Sequence, residues 1–236
     1  MACYKTKLEL IKEDVVKCLV CPRLVEHREQ VAVEKTRRFE SEYYWGRPVP
    51  GFGDPYARLL VVGLAPAAHG ANRTGRVFTG DRSDDWLYQA MHRYGFANQK
   101  TSRSVDDGLH LIGAYVTAAV RCVPPSNKPT RQEIIACRTY LARELAVLTS
   151  VKVVLGLGKI GFDGFLAAWC SLGRSLPRPK PLFSHGSMVE LSDGISLLGS
   201  YHPSQQNTFT GRLTRAMFHR IFKKARKIID ERTHCV

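Results

Sequence analysis

The sequence predicts an α/β fold in which a parallel β-sheet is covered by helices on both faces. Three observations predict it. Four apolar runs recur along the chain: RLLVVGL (58–64), LHLIGAYVTAAV (109–120), VKVVLGLG (151–158) and ISLLGSYHP (195–203). The first is a continuous run of the kind that buried parallel strands carry. Helical patterns alternate with these strands, as a doubly covered parallel sheet requires. The length, 236 residues with 44% hydrophobic composition, suits one domain (1–236) with a sizeable core.

Taken in order, LELIKEDVVKC (8–18) has helical apolar spacing and ends at a C-x-x-C followed by Pro22. Residues 23–57 read as a basic, loop-rich arm closing with the turn-heavy GRPVPGFGDP. After the first strand and a Gly/Pro/Ala-rich loop, SDDWLYQAMHRYGF (83–96) reads as a helix with Ser83 as N-cap. The second strand leads into Arg121 and Cys122. KPTRQEIIACRTYLARELAVL (128–148) is amphipathic, with Thr130 as N-cap and Glu133 completing a capping box. A helix through Phe165 follows the third strand, the fourth ends at His202, and a basic helix closes the chain. No internal repeat or low-complexity segment interrupts this order.

The 35 Lys+Arg against 21 Asp+Glu give a formal charge of +14, which suggests a polyanionic partner, most simply nucleic acid. No apolar run approaches the ~18 residues of a membrane span. The first residues, MACYKTKLELIKEDVVKC, lack the apolar core of a signal peptide, so an intracellular protein is expected. Seven cysteines in such a chain do not suggest a disulfide framework. Cys18 and Cys21 are close in sequence, Cys122 and Cys137 follow a hundred residues later, and Cys3, Cys170 and Cys235 read as ordinary thiols. Four thiolates suit either zinc or an iron–sulfur cluster.

Ligands of parallel sheets bind beyond the carboxyl ends of the strands, which singles out loops 64–81, 121–130 and 201–211. The first sits in GLAPAAHGANRTGRVFTGD (63–81), whose small residues let a flat ligand approach the backbone. It lacks the G-K-[ST] ending of a P-loop and is not G-x-G-x-x-G. The third sits in HPSQQNTFTGRLT (202–214), a strand-end histidine followed by amides and hydroxyls.

Paired, these two segments resemble the active-site motifs of the uracil-DNA glycosylase superfamily, most closely its type B branch, or family 5, of archaea and some bacteria. KCLVCPRLV, YWGRPVPGFGDP and TAAVRCVPPSNKPT agree with it in the same order, so the resemblance spans about residues 18 to 220. It implies a three-layer α/β/α fold with a central parallel four-stranded sheet. It also implies a [4Fe–4S] cluster on Cys18, Cys21, Cys122 and Cys137, best read as structural and tying the N-terminal helix and arm to the rest.

The implied reaction is base excision from double-stranded DNA: a base flips from the stack and its N-glycosidic bond is hydrolysed. Asp81 would orient water and stabilise the sugar cation. His202 would donate to the uracil carbonyl as negative charge builds, and Asn127 would hydrogen-bond the base or the water. Phe78 would stack on the base in a pocket shaped by Gly63, Ala67, Ala68 and His69. Where better-known members carry an acid or amide after the motif proline, Pro66 is followed by Ala67 and Ala68, as in type B enzymes. These small residues, with Gly70, fit a roomier pocket that takes hypoxanthine or hydroxymethyluracil besides uracil. Arg73, Gln205, Gln206, Asn207, Arg212 and Arg215 would contact DNA, and residues 211–232 hold eight Lys/Arg against two acids. No lysine stands out as a Schiff-base nucleophile, so a monofunctional, monomeric glycosylase leaving an abasic site is expected. Two other readings stay open: an inactive iron–sulfur nucleic-acid-binding protein of the same fold, and an iron–sulfur redox protein.

Overall fold

A computed structural model describes residues 6–233. Cys3 and Cys235 lie outside the described residues. The elements run α1 (Lys7–Val16), α2 (Pro22–Glu34), β1 (Phe52–Gly53), β2 (Leu59–Gly63), α3 (Ala71–Thr74), α4 (Arg82–Arg93), β3 (Ala114–Ala118) and α5 (Arg131–Val147). They continue with β4 (Val153–Leu157), α6 (Gly158–Ser171), β5 (Met188–Glu190), β6 (Ser196–Ser200), α7 (Gln205–Phe209) and α8 (Arg215–Thr233). Among the described residues no helix is long and apolar enough to cross a membrane.

The sheet has six strands in the order β1-β3-β2-β4-β6-β5. The four predicted strands are its parallel centre, with Val61 of β2 opposite Val116 on one side and Leu155 on the other. The expected count of four is corrected by two short antiparallel edges, β1 on β3 and β5 on β6. Neither edge gives a readable pattern: β1 is two residues within a turn-rich stretch, and β5 is three partly exposed ones.

Successive side chains of a strand face opposite sides, so each central strand feeds two cores. Leu59, Val61, Val116, Leu155 and Leu198 pack with Leu87 and Met91 of α4 and Phe218 and Phe222 of α8. Leu60, Val62, Val154 and Leu197 pack with Ile11 of α1, Leu141 and Leu145 of α5, and Phe162 and Phe165 of α6.

Helix starts follow capping chemistry. The Thr130–Glu133 box at the start of α5 is present, and α1 opens with a second box from Thr6 and Glu9. The supposedly loop-rich arm is corrected too: α2 occupies its first part, with Pro22 at the N-terminal position where a missing N–H costs nothing. Arg23 grips both oxygens of Glu133 at 2.7 Å, joining the start of α2 to the start of α5. The helix expected to be capped by Ser83 begins two residues earlier than that cap implies, at Arg82. Its capping acceptor is Asp81, whose Oδ1 takes the Ser83 N–H at 2.7 Å.

Candidate active site

Strand β2 ends at Gly63, and the loop beyond it folds Phe78 back over the strand end. A Cβ on Gly63 would stand 2.7 Å from the Phe78 ring, so only glycine lets the ring lie there. Phe78 has φ 52°, a left-handed conformation that costs a bulky residue about 1–2 kcal/mol, which the surrounding structure must offset. Its ring stacks on His202, two residues beyond β6, with centroids 5.5 Å apart and planes 26° off parallel.

Burial pushes the His202 imidazolium pKa down to about 4, so the ring is neutral at pH 7 and keeps one N–H to donate. The segment after it is built to hold it. Ser204 caps α7 by accepting from the Asn207 N–H, and the Asn207 amide donates to the His202 carbonyl at 2.9 Å. Asn207, expected on DNA, thus braces the histidine through one of its amide N–H groups. Gln205 and Gln206 are exposed on the first turn of α7.

Three residues past Phe78, Asp81 lies against the backbone at Gly70, where a Cβ would stand 2.6 Å from its Oδ2. Asp81 also lines an open groove of about 980 Å³, together with Arg38, Tyr43, Trp45, Asp85 and Arg103. Ala67 and Ala68 are half-buried, and the Ala67 carbonyl accepts from the Asn72 N–H at 3.0 Å. His69 meets the Tyr44 hydroxyl at 3.1 Å through Nδ1; burial and the nearby Arg73 hold its pKa below the ordinary value. Tyr44 opens the YWGRPVPGFGDP segment, the one sequence signal that points to it.

Asn127 sits exposed in a turn with φ 56°, its N–H donating to the Pro124 carbonyl at 3.0 Å. Asn127 stays a candidate for hydrogen-bonding the base or the water, as an exposed residue of the loop that follows β3. Arg73, expected on DNA, is buried: it bonds the His69 and Gly80 carbonyls, pairs with Glu42 and lies over the Phe39 ring. By contrast Arg212 and Arg215 are exposed, each 4.6 Å over an aromatic ring, Tyr201 and Trp86 respectively.

The four cysteines come from the α1–α2 junction, the loop after β3 and the middle of α5. Cys122 and Cys137 are buried with Leu24 and Val120, and Cys21 packs against them. Burial pushes the thiols of Cys21 and Cys122 up, and that of Cys137 to about 12. The buried Arg28 guanidinium donates to the Cys122 Sγ and to the Cys18 carbonyl, both at 3.2 Å. Among the described residues no three His, Cys, Asp or Glu side chains are arranged to hold a metal ion.

Residues 50–226 match the Uracil DNA glycosylase superfamily. A Type-5 uracil-DNA glycosylase of Mycobacterium leprae is 52% identical over 212 residues, covering 89% of this chain and 91% of that protein. A Type-5 uracil-DNA glycosylase of Thermus thermophilus is 48% identical over 220 residues, 93% of this chain and 97% of its own. A Type-4 uracil-DNA glycosylase of Sulfurisphaera tokodaii is more distant, at 28% over 155 residues, 64% of this chain and 54% of its own.

Proposed function

The chain belongs to the uracil-DNA glycosylase superfamily, and from that premise we propose that it excises uracil from double-stranded DNA by hydrolysis, leaving an abasic site. The observation that carries this reading is the neutral His202 stacked on Phe78 at the strand ends, with Asp81 three residues beyond that ring. In the reaction the C1′–N bond breaks, its electron pair leaves with the base, and water adds to the sugar cation at C1′. Phe78 offers the flipped base a face. The imidazole N–H of His202 donates to a uracil carbonyl, an interaction that strengthens as the base becomes anionic and therefore favours the transition state. A neutral donor keeps its proton through the reaction. The Asp81 carboxylate stabilises the cationic sugar and accepts from the attacking water, whose proton leaves to solvent.

The pocket alanines support a wider substrate range. Ala67 and Ala68 contribute only methyl groups where a larger polar side chain would crowd a purine, so hypoxanthine and hydroxymethyluracil join uracil in the reading. A monomer is sufficient, since every proposed site residue comes from one chain. The cysteines support a [4Fe–4S] cluster: the donor set is all sulfur, the shell is apolar, and the Arg28 cation offsets thiolate charge. Cys18, Cys21, Cys122 and Cys137 would hold it. It would serve as a structural tie, joining α2 to α5 and to the loop after β3.

Base release from duplexes holding uracil, hypoxanthine or hydroxymethyluracil opposite G or A tests the reading. Release of free uracil, with His202→Ala slowed by at least about a hundredfold, is the expected result. Tight duplex binding without any base release overturns it in favour of a binding protein.

A further inference from the structure

Between Arg73 and Asp81 lies a second arginine, Arg76, for which the reaction assigns no role. It is 6% exposed. Its Nη2 donates to both oxygens of Asp107 and to the Ser102 hydroxyl, each at 2.8 Å, and its Nε donates to the Thr79 hydroxyl at 3.1 Å. The Thr79 and Ser102 hydroxyls are 2.5 Å apart, and the Gly80 N–H donates to the Ser102 carbonyl at 3.2 Å. Asp107 in turn accepts from the backbone N–H groups of Arg103, Ser104 and Leu109, which closes its own loop around the carboxylate. Burial opposes ionisation of Asp107, but the Arg76 guanidinium and these N–H groups hold its carboxyl below the usual range.

The pattern brackets the two residues that matter most. Thr79 and Gly80 lie between Phe78, in its left-handed conformation, and Asp81. Both are bonded to the 102–107 loop rather than to the strand they follow. Helix α4 begins directly after Asp81, so the carboxylate sits between one fixed segment and another. The backbone from 78 to 81 has two positive φ values, 52° at Phe78 and 80° at Gly80, and lies outside every strand of the sheet.

We propose that Arg76 and Asp107, with Ser102 and Thr79, form a clasp that positions Phe78 and Asp81 for base excision by locking residues 78–81 onto the 102–107 loop. They are positioning residues: none touches substrate, and their effect passes through Asp81. The inference rests on the glycosylase reading of Asp81. A guanidinium fork fits this task because one rigid group satisfies Asp107, Ser102 and Thr79 together, which an ammonium does not.

The test is a kinetic cycle on the full chain with a uracil duplex under single-turnover conditions at saturating enzyme. Asp107→Asn and Arg76→Lys are expected to slow release by roughly ten- to a hundredfold while duplex affinity stays unchanged. Ser102→Ala, a milder change to the same clasp, serves if either fails to fold, with an expected loss of about tenfold. The readout that separates positioning from mere support is coupling: Asp81→Asn should slow the Asp107→Asn protein by a smaller factor than it slows the wild type. Leu145→Ala, in the core on the opposite face of the sheet, controls for destabilisation and should lower the melting temperature without slowing release. Additive losses, or an unchanged rate in the folded clasp variants, overturn the clasp alone. If Asp81→Asn itself has no effect, the reading of Asp81 falls and the clasp with it.

Discussion

Gly70→Ala moves the proposed catalytic carboxylate without altering its chemistry. The new Cβ would stand 2.6 Å from Oδ2, 3.0 Å from Cβ and 3.1 Å from Cγ of Asp81. Because the base of the side chain is crowded as well as its tip, a simple rotation does not relieve the contact. Gly70 has φ −102° and ψ −103°, outside the regions open to L-residues, so alanine also strains this backbone. To reach ordinary contact distance the carboxylate must shift by about 0.8 Å, against its 2.7 Å bond to the Ser83 N–H. Losing that cap costs about 1 kcal/mol, or roughly 2–4 °C in melting temperature for a chain of this size. A misplacement of this order costs about a hundredfold in rate, equivalent to about 2.7 kcal/mol of barrier. Single-turnover uracil release at saturating enzyme reads the rate, and fluorescence anisotropy with undamaged duplex reads the affinity. A folded Gly70→Ala protein with the wild-type rate would refute the dependence on Asp81 position.

The same geometry carries three further expectations. The His202 imidazole stays neutral at pH 6 and protonates near pH 4, as ring ¹⁵N shifts will report; a midpoint near 6.5 contradicts its desolvation. Because its folded pKa lies below the unfolded one, its share of stability is complete above about pH 6.5 and is lost as pH falls towards 4. Arg212→Ala and Arg215→Ala weaken binding to any duplex and lower the slope of log affinity against log salt by about one each, whereas Arg73→Ala lowers the melting temperature, and a reversed pattern refutes the placement of these side chains. Anaerobically purified protein is brown with iron bound, and Cys137→Ser abolishes the colour; a colourless wild type carrying stoichiometric zinc contradicts the cluster.

The parallel centre of the sheet is legible because its strands are continuous apolar runs, and helix α5 because Thr130 and Glu133 cap it with a local signal. Edge strands β1 and β5 are too short to carry a pattern. Arg73 reads as a DNA-contacting cation, and the clasp of Arg76 goes unread, because their partners, Glu42 and Asp107, lie about thirty residues away in opposite directions. Nothing in local sequence announces such pairs. Asp81 shows the opposite case: its role as a helix cap and its proposed catalytic role use the same carboxylate, so a turn-like sequence context does not separate them. Asn207 reads as a DNA contact in sequence, and its bond back to the His202 carbonyl becomes visible only in the fold.

The most direct measurement follows free uracil released from a duplex by wild type, Asp81→Asn and His202→Ala, each at full DNA occupancy. Wild type should release uracil and leave an intact strand with an abasic site, and both variants should bind the duplex normally but release base at least about a hundredfold more slowly. Wild-type release rates in both variants would contradict the placement of the chemistry at the ends of β2 and β6.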